Sequence, residues 1–234
     1  MISHHHSCIF VHIPKTAGQS IEHAFLNWIG LSWETRAPLL MGENDQPLLG
    51  PPRLAHLSAD QYVGCKHIPQ TMFDAYFKFA IVRNPWSRMV SFYKYLGYQR
   101  THSFRSFLLG DFRKHLLQEQ YWFVRPQRDY IYSADGDILV DYVGRFENLQ
   151  SSFDVVCDKL GLPATELPRI NASRDASTDL RAKLRQSAED LWRTVKGHDI
   201  SGYARYQDYY DAETIEYVAE LYRPDIECFD YQFD

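Results

Sequence analysis

Cysteine is scarce in this 234-residue chain. Cys8, Cys65, Cys157 and Cys228 are the only four, and no two form a CxxC pair. That excludes a disulfide scaffold, and the four read as buried thiols in a reducing compartment. No apolar run reaches the ~18 residues a transmembrane helix needs. The N-terminus lacks both the basic start and the long apolar region of a signal peptide. A basic excess is missing too: 25 Lys and Arg stand against 30 Asp and Glu, a formal charge of −5. That argues against a nucleic-acid binder, although local basic clusters remain compatible with it. Repeats, low-complexity tracts and an interdomain linker are all absent. With 45% hydrophobic residues the chain can bury a sizeable core. Residues 1–234 therefore read as one domain.

Two segments carry the chemistry. Residues 9–20, IFVHIPKTAGQS, and residues 77–88, FKFAIVRNPWSR, are each an apolar run ending in a basic, hydrogen-bonding turn. Each then takes on helical spacing. Strands are expected at 8–13, 77–83 and 138–146, with a short one possible at Tyr62–Lys66. Helices are expected at Ser20–Trp28, Trp86–Leu96, 102–120, Leu149–Leu160, Thr178–Lys196 and Ala212–Tyr222. Ile21, Ala24, Phe25 and Trp28 show the periodicity on which these assignments rest. Residues 36–53 hold four prolines and two glycines and read as a long loop, a kind that is often functional. Alternating strands and helices predict an α/β fold, a parallel sheet flanked by helices. Ligands of such sheets bind beyond the carboxyl ends of the strands, where both basic turns fall.

The first turn has the logic of a phosphate loop. A helix N-terminus offers unpaired N–H groups and a partial positive charge. Pro14 fixes the exit from the strand, and Gly18 lets the backbone approach a ligand. Lys15 brings a full charge, and Thr16 and Ser20 bring hydroxyls. The order is not GxxxxGK[ST], because Lys15 precedes the glycine. An ordinary strand-to-helix turn with an exposed lysine is the alternative. In the second turn Arg83 ends a buried strand, and its forked donors suit an oxyanion. Pro85 suits a helix start. Ser91 lies on that helix and could face the same anion. A capping arginine and a surface serine are the alternative. Arg88 reads equally well as a salt-bridge residue.

HIPKTAGQS resembles the 5′-phosphosulfate loop of the sulfotransferases, in particular the carbohydrate-type enzymes of the Golgi and their bacterial relatives. FAIVRNPWSRMVSFY is similar to that family's 3′-phosphate segment, at Arg83 and Ser91. YVGRFENL and DIECFDYQF extend the resemblance along nearly the whole chain. It implies a P-loop-like sheet in a single sulfotransferase-type domain. It implies 3′-phosphoadenylyl sulfate as donor, adenosine 3′,5′-bisphosphate as product and no metal. Pro14, Lys15, Thr16, Ala17, Gly18, Gln19, Ser20, Arg83 and Ser91 would bind the donor. The acceptor would be a hydroxyl, expected on a saccharide. Without an anchor the expected setting is cytoplasmic; a Golgi lumen would require an anchor trimmed away.

Sulfuryl transfer needs a group for the leaving oxygen and a base for the acceptor proton. Lys15 suits the first role. For the base, His12, His56, His67 and Glu22 are candidates. His56 is preferred because a similar histidine segment in bacterial relatives precedes the second phosphate strand. His67 is second, and His12 reads as a brace for the loop. Tyr121-Trp122-Phe123 and Tyr203 to Tyr210 could stack on sugar rings or simply pack. Arg169, Asn171 and Arg174 could touch phosphate or ribose, and Glu147 could brace the site. His4-His5-His6 has poor metal geometry. A P-loop kinase-like phosphotransferase and a non-catalytic nucleotide-binding module remain as alternatives.

Overall fold

The fold comes from a computed structural model that describes residues 1–168 and 204–234. The expected helix at Thr178–Lys196 and the residues Arg169, Asn171 and Arg174 lie outside the described residues, as does Tyr203. The strands are β1 (Ile2–Ser3), β2 (Cys8–Val11), β3 (Phe77–Val82) and β4 (Tyr142–Arg145). The first helices are α1 (Gly18–Trp28), α2 (Gln61–Gly64), α3 (Gln70–Ala75) and α4 (Pro85–Tyr95). The chain divides into two compact units, Met1–Asn84 with Trp122–Ile170, and Pro85–Tyr121 with Asn171–Asp234.

The first unit holds a four-stranded sheet in the order β1-β2-β3-β4. The α/β expectation holds for β2, β3 and β4, which run parallel, while β1 adds an antiparallel edge. β2 ends with Val11 opposite Ala80, and Val82 pairs with Arg145. The loops after β2 and β3 therefore leave the sheet at the same carboxyl edge. Apolar side chains of α1 and helix Leu149–Leu160 pack with the sheet in one core. Phe10 stacks on Phe79 at 5.0 Å, and Trp28 stacks on Phe153 at 5.8 Å. Helix Leu149–Leu160 has the expected bounds and stops at Gly161, whose φ of 64° suits a glycine C-cap.

Three expectations need correction. Tyr62–Lys66 is not a strand but the single-turn helix α2. Gly64 and Cys65 N–H donate to the carbonyls of Asp60 and Gln61, and Lys66 ends the turn at φ 62°. Only Tyr62 of this turn is buried, so no buried strand face exists for the apolar residues to fill. The strand expected at 138–146 is confined to Tyr142–Arg145. Ile138 bridges back to Tyr132, so the segment's first half pairs with its own neighbour. Phe146–Asn148 is already a 3-10 turn. The helical stretch expected at 102–120 begins at Phe104, where the Ser103 hydroxyl accepts from Ser106 N–H, and is π-helical over Phe107–Leu116.

The second unit contains α4, that π-helical stretch, and helices Ala212–Leu221 and Arg223–Phe229. Pro224 sits in the opening turn of the second of this pair, where its missing N–H costs nothing. Trp86 Nε1–H donates to the Ile215 carbonyl at 3.0 Å and ties α4 to the C-terminal helices.

Candidate anion and proton-transfer site

The loop between β2 and α1 closes on its own atoms. Thr16 is fully buried, and its hydroxyl donates to the Ile13 carbonyl at 2.9 Å. Its proton thus braces the turn. Lys15 and Ala17 take left-handed backbone, with φ of 70° and 65°. Ala17 caps α1 without any side-chain hydrogen bond, which leaves the helix start without a capping side chain. Pro14 and Ser20 are buried, while Gln19 is half-buried.

Gly18 is required for space. A Cβ there would lie 2.1 Å from His12 Cδ2 and 2.2 Å from His12 Nε2. The imidazole of His12 fills the place of a side chain. Its Nδ1–H donates to Glu22 Oε1 at 2.7 Å, and Glu22 is 1% exposed. Glu22, a candidate base by sequence, is thus buried against His12. His12 is the brace that its place at the strand end suggested.

Arg83 follows β3 and reaches the same loop. Its Nη1–H donates to the Lys15 carbonyl at 3.2 Å, and its guanidinium lies 4.0 Å from the Phe146 ring centroid. Burial, and then the Arg83 charge, push the Lys15 amine down to about 8. Two cations therefore meet at the carboxyl edge of the sheet. Arg83 is held by Gln127, which is fully buried. The Gln127 side chain accepts from Arg83 N–H and donates to Arg83 C=O, both at 2.8 Å. One residue on, Asn84 N–H donates to Glu147 Oε1 at 2.7 Å. Glu147 therefore braces this turn.

His56 lies in the 3-10 turn Leu54–His56 and is 8% exposed. Its Nδ1–H donates to the His12 carbonyl at 2.9 Å. The two rings meet edge to face at 4.5 Å. Burial, then His12, hold the His56 imidazole well below the usual histidine range. The ring is accordingly neutral, with Nδ1 protonated and Nε2 carrying the lone pair.

A profile of the sulfotransferase family matches residues 1–232. The chain belongs to the sulfotransferase family. An uncharacterised protein of Archaeoglobus fulgidus is 34% identical over 114 residues, covering 46% of this chain and 87% of that protein. No solved structure matches.

The structure brings Lys15, Gly18, Arg83, His12 and His56 together around one strand-to-helix loop. His67 serves elsewhere. Its Nε2–H donates to the Leu49 carbonyl at 2.7 Å and pins the 36–53 loop. Ser91 belongs to the second unit, where it is half-buried on α4. Gln127 and the stacking of Arg83 on Phe146 were not visible in the sequence. Among the described residues no helix is long and apolar enough to cross a membrane. No cluster of three or more His, Cys, Asp or Glu among them could hold a metal ion.

Proposed function

We propose that this chain transfers a sulfuryl group from 3′-phosphoadenylyl sulfate to a hydroxyl of a saccharide, acting as a single domain. The observation that carries the reading is the convergence of Lys15 and Arg83 beside the start of α1. Two cations held this close repel each other, and a phosphate or sulfate group relieves the repulsion. An α1 N-terminus without a capping side chain adds donors of the right polarity.

The chemistry follows from the same residues. The acceptor hydroxyl gives its proton to His56 Nε2, and its oxygen attacks sulfur. The bond between sulfur and the 5′-phosphate oxygen breaks in line with the attack. Lys15 and the start of α1 meet the charge that develops on that oxygen. Arg83 takes the 3′-phosphate, its forked donors suiting that group. His56 suits the base because burial keeps it neutral and ready to accept.

Calorimetry with adenosine 3′,5′-bisphosphate and with ATP, without added metal, tests the donor assignment. Binding of the bisphosphate in preference to ATP, weakened in Arg83→Ala, is expected. Preference for ATP with Mg²⁺, or indifference to Arg83→Ala, would favour the phosphotransferase instead. His56→Ala should keep bisphosphate binding and lose turnover. Loss of neither would leave a base other than His56, and absence of any donor turnover in the wild type would favour the binding module.

A further inference from the structure

A cavity of about 580 Å³ opens in the first unit, lined by Glu43, Asn44, Asp45, Pro52, Arg53 and Trp122. Neither Lys15 nor Arg83 lines it, so it is separate from the paired cations. Trp122 links it to the candidate base. Its ring lies 6.0 Å from the His56 ring, tilted by 36°. The Tyr130 hydroxyl donates to the Trp122 carbonyl. The Tyr130 carbonyl in turn accepts from Ala59 N–H at 2.7 Å, just beyond His56. The tryptophan and the His56 turn are thus tied into one scaffold.

The rest of the lining is held as firmly. Asn44 spends its amide on the carbonyls of Gln46, Gly50 and Pro51, at 2.9, 3.0 and 3.1 Å. Asn44 N–H donates to the Pro52 carbonyl, and Glu43 bridges Arg53 through the backbone. The loop is therefore shaped before any ligand arrives. The side chains of Glu43, Asp45 and Arg53 make no hydrogen bond or ion pair with the described residues, and all three are exposed. Two carboxylates and one guanidinium give this wall a net charge of −1.

We propose that this cavity is the acceptor subsite, and that it favours a sugar bearing a protonated amine over one bearing a carboxylate. The proposal rests on the sulfotransferase reading. The apolar face of a sugar ring lies on Trp122. Glu43 and Asp45 accept from its hydroxyls and its ammonium group, and they repel a uronate. Arg53 adjoins His56, so the amine sits toward the carboxylates and the reacting hydroxyl toward His56.

Titrations with methyl glucoside, methyl glucosaminide and methyl glucuronide, followed by NMR without donor, test this. The glucosaminide should bind roughly two- to fivefold more tightly than the glucoside, and the glucuronide more weakly by a similar factor, as exposed charge contacts dictate. High salt should compress the order. Glu43→Gln with Asp45→Asn, at exposed positions, should abolish the order while glycoside binding survives. Trp122→Ala should weaken all three, with bisphosphate binding unchanged. Glucuronide binding as tight as glucosaminide, an order that survives the double variant, or no glycoside binding at all would overturn the proposal. Failure of the sulfotransferase reading shows separately, as loss of the preference for bisphosphate over ATP.

Discussion

Replacing Gly18 by alanine tests the loop at its tightest point. The new methyl carbon would lie 2.1 Å from His12 Cδ2 and 2.6 Å from Cγ, well inside contact distance. The ring has nowhere to go. Glu22 holds Nδ1 at 2.7 Å, Phe10 stacks at 5.4 Å, and the His56 ring lies 4.5 Å away. Overpacking of this kind costs about 1–3 kcal/mol. Bending the buried bond to Glu22 adds part of the ~1.5–3 kcal/mol of a hydrogen bond to a charged group. A total near ~3 kcal/mol lowers the melting temperature of a chain this size by roughly 6–12 °C.

Thermal unfolding of four proteins forms the assay: wild type, Gly18→Ala, His12→Ala and the double variant. His12→Ala alone should be strongly destabilised, because it leaves a buried carboxylate without its partner. In that background the second substitution should cost under about 1 kcal/mol, since the obstructing ring is gone. Additive costs, or a Gly18→Ala protein that melts with the wild type, would refute the reasoning. Ala17→Gly is the internal control. At φ 65° position 17 suits glycine for its backbone, so that change should be neutral or stabilising.

Gln127→Leu should destabilise by about 2–4 kcal/mol, as two backbone groups at the end of β3 lose their partner, and should weaken bisphosphate binding; denaturant unfolding and calorimetry read the two effects. The low Lys15 value predicts bisphosphate affinity that is steady below about pH 8 and falls above it; titration at pH 7 and pH 9 checks this, and Lys15→Arg should flatten the fall. With Lys15 depressed in the fold, the unfolded chain binds more protons between about 8 and the ordinary lysine value, so this group's contribution to stability rises with pH across that window. His56 is depressed too, so its neutral form persists in the fold below the ordinary histidine value of 6.5 while the unfolded chain takes up a proton. Stability should therefore fall as pH drops through 6.5, and in His56→Gln this dependence should shrink in acid unfolding curves.

What the sequence revealed and what it hid divide along one physical line. Periodicity and local punctuation were legible: Ile21, Ala24 and Phe25 marked α1, and Gly161 closed the helix before it. β2 and β3 stood out as apolar runs, and their shared carboxyl edge followed from parallel pairing. β1 has only two residues and offers no pattern to read. Tyr62 and Val63 carry strand-like side chains, yet the segment closes local helical bonds, Gly64 to Asp60 and Cys65 to Gln61, that side-chain type does not foretell. Gln127 lies 44 residues from the arginine it holds, and no spacing rule links an amide to a distant strand end. Gly18 reads in the sequence as a place for close approach, and no spacing rule shows that the His12 ring lies against it.

That histidine also explains why the chain's histidines are not interchangeable. A buried carboxylate can only accept, so Glu22 fixes the proton of His12 on Nδ1 and fixes the plane of its ring. The ring then seats Gly18 and, with it, the start of α1. The His12 carbonyl can likewise only accept, so it fixes the proton of His56 on Nδ1 and leaves the lone pair on Nε2. One residue thus holds the strand-to-helix loop by its side chain and the candidate base by its backbone. Loss of the bond to Glu22 frees the His12 ring, so it disturbs the seat of Gly18 directly and the seat of His56 through the shared backbone.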